Sequence, residues 1–109
     1  MGYIIAGVEH ACDEQGYLLE PVLDDEAVRV IAQAEGLSLT DAHWEVIRYL
    51  HEQYREHGHT PNFRNLLKGM TEIRPGLDSK ALYDLFPVGP AKQGPKVAGL
   101  PQPLGKGGY

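Results

Sequence analysis

Sulfur chemistry, metal binding and acid–base catalysis each need particular side chains, and this 109-residue sequence is sparing with them: it has one cysteine, Cys12, and five histidines. Of these side chains the cysteine thiolate is the strongest nucleophile and a good metal ligand, and no other residue type replaces it in sulfur chemistry. One thiol closes no intramolecular disulfide and supplies no cysteine cluster for a structural metal, a pattern that points to a reducing compartment. Cys12 lies in a stretch of β character, with His10 as its nearest possible activator. Free cysteine is among the most often buried residue types, so packing is its expected role and a reactive thiol the alternative.

His57 and His59 flank Gly58, and His51 precedes them on the same periodic stretch. Imidazoles without a closing carboxylate or cysteine pattern make a weak ligand set, and HEQYR at His51 lacks the second histidine of a zinc-protease helix. Exposed helix-end histidines explain the pattern, so neither a metal nor a cofactor is assigned. Arg64 and Lys68, at i and i+4, would share one face of the second helix of a helix-turn-helix, although any solvated helix shows such a pair. The net charge of −5 and pI of about 5.4 oppose phosphate-driven nucleic-acid affinity. Arg48, Lys92 and Lys96 are candidates to guide a segment toward an anionic groove in a partner protein, against a plain solvated surface as the simpler account. Trp44, Tyr49, Tyr54 and Phe63 fall at helical spacings that a core needs.

These residues need elements to hold them. Tyr3-Ile4-Ile5, Val8 to Cys12 and Tyr17-Leu18-Leu19 read as three short strands of an amino-terminal meander, with a turn at Asp13–Gly16 and an exit at Pro21. Asp24 or Asp25 caps a first helix with Val28, Ile31 and Ala32 on its apolar face, and Gly36 stops it. Thr40 caps a longer second helix that carries Trp44, Ile47, Leu50 and Tyr54 and ends at Gly58. Thr60-Pro61 is expected to open a third helix bearing Phe63, Leu66, Leu67 and Met70. Asp78 or Ser79 starts a fourth with Leu82, Leu85 and Phe86, which cannot pass Pro87 unbroken. Residues 87–109 hold five prolines and six glycines and are expected to form a flexible carboxy-terminal arm, mobile beyond about Leu100. A helix opening at Gly89-Pro90 would be kinked or cut short by Pro95.

At 42% apolar and 23% charged residues the composition is that of one globular domain spanning 1–109. No stretch approaches the roughly 18–20 apolar residues of a membrane span, and no basic region precedes an apolar run at the amino terminus. A cytoplasmic monomer is the expectation.

The segment LYDLFPVGPAKQGPKVAGLPQP at Leu82 to Pro103 closely resembles the signature of the DsrC/TusE family, which includes the gamma subunit of dissimilatory sulfite reductase and the sulfur carrier of tRNA thiolation. DEQGYL from Asp13, EGLSLTDAHWEVIRYL from Glu35, and Thr60, Pro61, Arg64 and Leu67 extend the resemblance over nearly the whole chain. It implies an α+β, mainly α fold: an orthogonal helical array packed on a small amino-terminal β-meander, followed by the arm. In that family the arm carries a cysteine next to its last residue, and members serving sulfite reductase have a second cysteine about ten residues earlier. Lys106 and Pro95 occupy the matching positions here.

The expected function is therefore that of a regulator or competitor that docks on sulfur-metabolism proteins without carrying sulfur. Its expected partner-binding residues are Arg48, Leu85, Phe86, Pro87, Gly89, Pro90, Lys92, Lys96, Gly99, Leu100 and Pro101. The alternatives are an accessory subunit of a sulfite reductase or of a tRNA 2-thiolation relay, and a DNA-binding regulator acting through Arg64 and Lys68.

Overall fold

The computed structural model describes residues 1–103. Its elements run β1 (Gly2–Ile5), β2 (Val8–Ala11), α1 (Asp25–Ala34), α2 (Asp41–His57), α3 (Phe63–Ile73), α4 (Ser79–Leu85) and α5 (Pro90–Val97). This is the expected α+β, mainly helical architecture with a small amino-terminal sheet.

Ala6 and Gly7 take φ values of 53° and 81°, the left-handed pair that a two-residue type I′ hairpin turn requires. The strands accordingly pair antiparallel, with Ile5 opposite Val8 and Tyr3 opposite His10. The third strand expected at Tyr17–Leu19 does not form among the described residues; only an isolated bridge joins Leu18 to Cys12. The Asp13 carboxylate accepts the N–H groups of Gln15 and Tyr17 at 2.9 and 3.0 Å, closing a tight turn. The stretch is tied back by the Asp13 N–H, which donates to the Tyr17 carbonyl at 2.8 Å, and by the Leu19 N–H, which donates to the Ala11 carbonyl at 3.0 Å.

Local caps set most helix ends. The Asp24 carboxylate accepts the Ala27 N–H and the Asp78 carboxylate that of Ala81, each at 2.9 Å. Gly58 ends α2 at φ 75°, and its N–H donates to the Tyr54 carbonyl at 2.8 Å. The cap expected at Thr60 is instead Asn62, whose side-chain oxygen accepts the Asn65 N–H at 2.9 Å. Asn62 competes successfully because it too is a strong capping residue and lies two positions nearer Phe63, the first helical residue. Thr60 is left with a buried hydroxyl that has no hydrogen-bond partner among the described residues.

The largest departure from expectation is at the carboxy-terminal end. Residues 87–100, read as the first part of an irregular arm, contain α5, which packs against α1, α2, α3 and α4. Ala91, Val97, Ala98 and Leu100 are buried with Phe86, Ile31, Ile47, Leu50, Leu66, Met70 and Leu82 in one cluster or at its edge. Small residues allow this approach: a Cβ at Gly94 would lie 3.0 Å from the Leu50 side chain. Glycine here serves close packing rather than freedom. Leu100, expected to mark the onset of mobility, is fully buried. Pro95 lies inside α5, which stops two residues later at Val97. The Ala98, Gly99 and Leu100 N–H groups then return to the carbonyls of Gly94, Lys96 and Pro95 at 2.9, 3.1 and 3.0 Å.

Candidate functional site

The segment from Leu85 to Pro103 contains the most specific part of the sequence signature, and side-chain and backbone groups from three parts of the fold hold its backbone. Tyr17 donates its hydroxyl proton to the Lys92 carbonyl at 3.0 Å. The Val22 N–H donates to the Gly99 carbonyl at 2.9 Å. From α2, Nε2 of His43 meets the Leu85 carbonyl at 2.8 Å and Nε2 of His51 meets the Ala98 carbonyl at 2.7 Å. A carbonyl only accepts, so both rings carry their proton on Nε2.

The other side of His43 agrees. Its Nδ1 lies 3.0 Å from the Thr40 backbone nitrogen, which only donates, and 2.8 Å from the Thr40 hydroxyl. Thr40 and His43 thus form a capping box with imidazole in the place usually held by Glu or Gln. Sequence reading overlooked this use of His43; the T-x-x-H spacing was its only signal. His51, read as an exposed helix-end histidine, is 2% exposed. Burial pushes its pKa down, the Ala98 bond opposes this, and the positive charges of Arg55 and Arg48 add to the depression.

Gln93 binds the segment to Glu35, the residue that caps the end of α1. Its Oε1 accepts the Val88 N–H at 3.1 Å, and its Nε2 donates to Glu35 at 3.0 Å. Glu35 also faces the Lys96 ammonium at 3.6 Å, which lies 5.3 Å from the centre of the Tyr17 ring. Lys96 is therefore held between a carboxylate and an aromatic face, its side chain only 14% exposed. Burial, reinforced by Asp13 and Glu35, pushes the Tyr17 phenol up to about 12. The structure separates Arg48 from this group: it makes a two-point bond to Asp25 at 2.9 and 3.2 Å and lies over the Trp44 ring at 5.0 Å. Each partner shifts the other, Asp25 downward and Arg48 upward, chiefly through that hydrogen bond.

The expected docking residues divide by exposure. Phe86, Pro90, Gly99 and Leu100 are buried, so their side chains shape the segment from below. Leu85, Gly89, Lys96 and Pro101 are partly exposed, while Pro87 and Lys92 are exposed, as is Val88 at 69%. Pro95 is buried within α5. Lys106 lies outside the described residues. Arg64 and Lys68 are exposed on α3. His57 and His59 have ring centres 6.0 Å apart at the end of α2, whereas His51 turns inward to Ala98 and does not join them. Cys12 is partly exposed beside the hairpin. Among the described residues no helix is long and apolar enough to cross a membrane.

The family profile described as DsrC like protein matches residues 4–105. A sulfurtransferase TusE homolog of Haemophilus influenzae is 48% identical over 103 residues, covering 91% of this chain and 94% of the relative. The sulfurtransferase TusE of Pectobacterium atrosepticum is 45% identical, covering 86% and 89%. Among solved structures, DsrC of Allochromatium vinosum superposes with a TM-score of 0.83 at 39% identity, covering 93% of each chain. The oxidized gamma-subunit of the dissimilatory sulfite reductase (DsrC) from Archaeoglobus fulgidus also has a TM-score of 0.83, at 32% identity, covering 94% of this chain and 97% of that one.

Proposed function

Because this chain belongs to the DsrC-like protein family, we propose that it docks on sulfur-metabolism proteins as a regulator or competitor and does not itself carry sulfur on its carboxy-terminal segment. One observation carries the reading. The signature segment is built into the core by α5 and its anchors, while the position matched to the inner cysteine holds Pro95, buried and without sulfur. Lys106, matched to the terminal cysteine, likewise offers no thiol. A persulfide relay needs a thiolate at the transfer position. Partner contact falls to the exposed part of the segment, Pro87, Val88 and Lys92, with Leu85, Gly89, Lys96 and Pro101 at its margin.

A competition assay tests this. A cysteine-bearing TusE relative is loaded from its persulfide donor in the presence of increasing amounts of this protein, and sulfur transfer is followed by mass. Dose-dependent inhibition is expected, with no sulfur gained by residues 87–109. Lys106→Cys is expected to convert the competitor into an acceptor. The reading fails if transfer is unaffected at high excess, or if Cys12 gains and passes on the sulfur.

The names of the relatives favour a second reading, in which the chain is an accessory subunit of a sulfurtransferase or sulfite reductase assembly and another protein provides the thiol. In that case the chain accelerates transfer when added to an otherwise complete system. Control of transcription through Arg64 and Lys68 would appear as DNA binding that survives competitor DNA at raised salt.

A further inference from the structure

The two ends of the stretch Leu85–Ala98 are both held by buried imidazoles of the same helix. His43 is 6% exposed and His51 2%, and between the carbonyls they hold lie Phe86, Ala91 and Val97, all in the core. We propose that His43 and His51 form a proton-sensitive clasp, whose protonation loosens the attachment of this stretch to α2.

The argument rests on what each ring nitrogen is doing. Nδ1 of His43 is an acceptor for the Thr40 N–H at 3.0 Å, a group that cannot reverse its role. A proton taken from solvent by Nδ1 occupies the lone pair, orphans that N–H and forces the Thr40 hydroxyl to turn from donor to acceptor. The bond from Nε2 to Leu85 survives, but the ring then carries charge next to the Phe86 ring, 5.2 Å away in an edge arrangement. Asp41 and Glu45 flank His43 along α2, and Glu45 is engaged by Arg74 beyond the end of α3 at 2.6 Å. His51 keeps its bond to Ala98 when protonated, and the cost there is burial of a charge. Arg48 and Arg55 on α2 add repulsion and Asp25 on α1 opposes it, while Ala98, directly after α5, presents its carbonyl. The clasp is a property of the free protein and does not depend on the docking role.

Native-state hydrogen exchange, corrected for the intrinsic pH dependence, tests it at about pH 7.5 and about pH 5.5, on either side of the ordinary histidine range. The opening equilibrium for amides of α5, the end of α4 and the start of α2 is expected to rise by up to about tenfold per pH unit for each proton bound. His43→Gln keeps an acceptor for the Thr40 N–H in a standard capping box, and His51→Gln keeps a donor for Ala98. Each variant is expected to lose part of the rise, and the double variant all of it. A wild-type protein without the rise, or a double variant that retains it, overturns the proposal. Nitrogen-15 spectra of the wild-type histidine rings need no variant. Both are expected as Nε2–H tautomers at neutral pH, and a proton on Nδ1 of His43 refutes the clasp.

Discussion

Tyr17 shows how much one hydroxyl can report about packing. It is 6% exposed, donates to Lys92 at 3.0 Å, and has its phenol pushed from 10.0 up to about 12, first by burial and then by Asp13 and Glu35. The folded protein keeps this proton at pH values where the unfolded chain has lost it. Its contribution is therefore complete below about pH 10 and disappears as pH rises toward about 12. Tyr17→Phe is expected to cost about 1 kcal/mol at neutral pH and to flatten the alkaline fall in stability, measured by urea unfolding across a pH series. An unchanged alkaline fall in the variant would assign it to another group. Gly69 is equally specific, because an added Cβ there would strike the Tyr49 ring. Gly69→Ala is expected to destabilise by about 1–3 kcal/mol, and most of that loss should vanish in a Tyr49→Leu background. Additive losses in the double-mutant cycle would break the link between the two residues.

At the scale of elements, α3 separates two capping candidates that differ little by type. Asn62 accepts the Asn65 N–H at 2.9 Å, whereas the Thr60 hydroxyl is buried and unpaired among the described residues. Asn62→Ala should lower stability by about 1 kcal/mol. Thr60→Val removes a polar atom that gains nothing in return and should raise stability by up to about 1 kcal/mol. Chemical denaturation distinguishes these outcomes, and the reverse order would restore Thr60 as the cap. Helices α1, α2 and α4 begin where the sequence places them because Asp24, Thr40 and Asp78 act through bonds only a few residues long. The same local reasoning allowed a short helix opening at Gly89-Pro90 but did not reach the packing of α5, since that comes from four neighbouring helices.

For the whole molecule, α5 is the hub of the helical array rather than the base of a loose arm. Cutting the chain after Val88 would remove Ala91, Val97, Ala98 and Leu100 and uncover faces of α1 to α4 at once. The truncated chain is expected to lose cooperative unfolding and the dispersed amide spectrum of a folded protein. A folded truncation product with sharp, dispersed signals would show that α5 is appended to an independent core. Partner-binding experiments on this protein therefore need point substitutions at Pro87, Val88 or Lys92, since truncation within the signature confounds docking with folding.

The sequence by itself determined the family resemblance, the mainly helical class, four of the helices and the presence of Pro95 and Lys106 where the resemblance calls for cysteine. These follow from residue identity and from interactions spanning one helical turn. Tertiary structure alone decided that Ala91, Val97, Ala98 and Leu100 belong to the core, that His43, His51 and Tyr17 hold the signature segment, and that Arg48 serves α1 and Trp44 instead. The physical reason lies in the small residues: glycine and alanine serve equally in a mobile linker and in a helix packed closely among others. Composition cannot distinguish the two uses, because the difference is made by side chains such as Leu50 that lie far away in sequence and 3.0 Å from where a Cβ at Gly94 would sit.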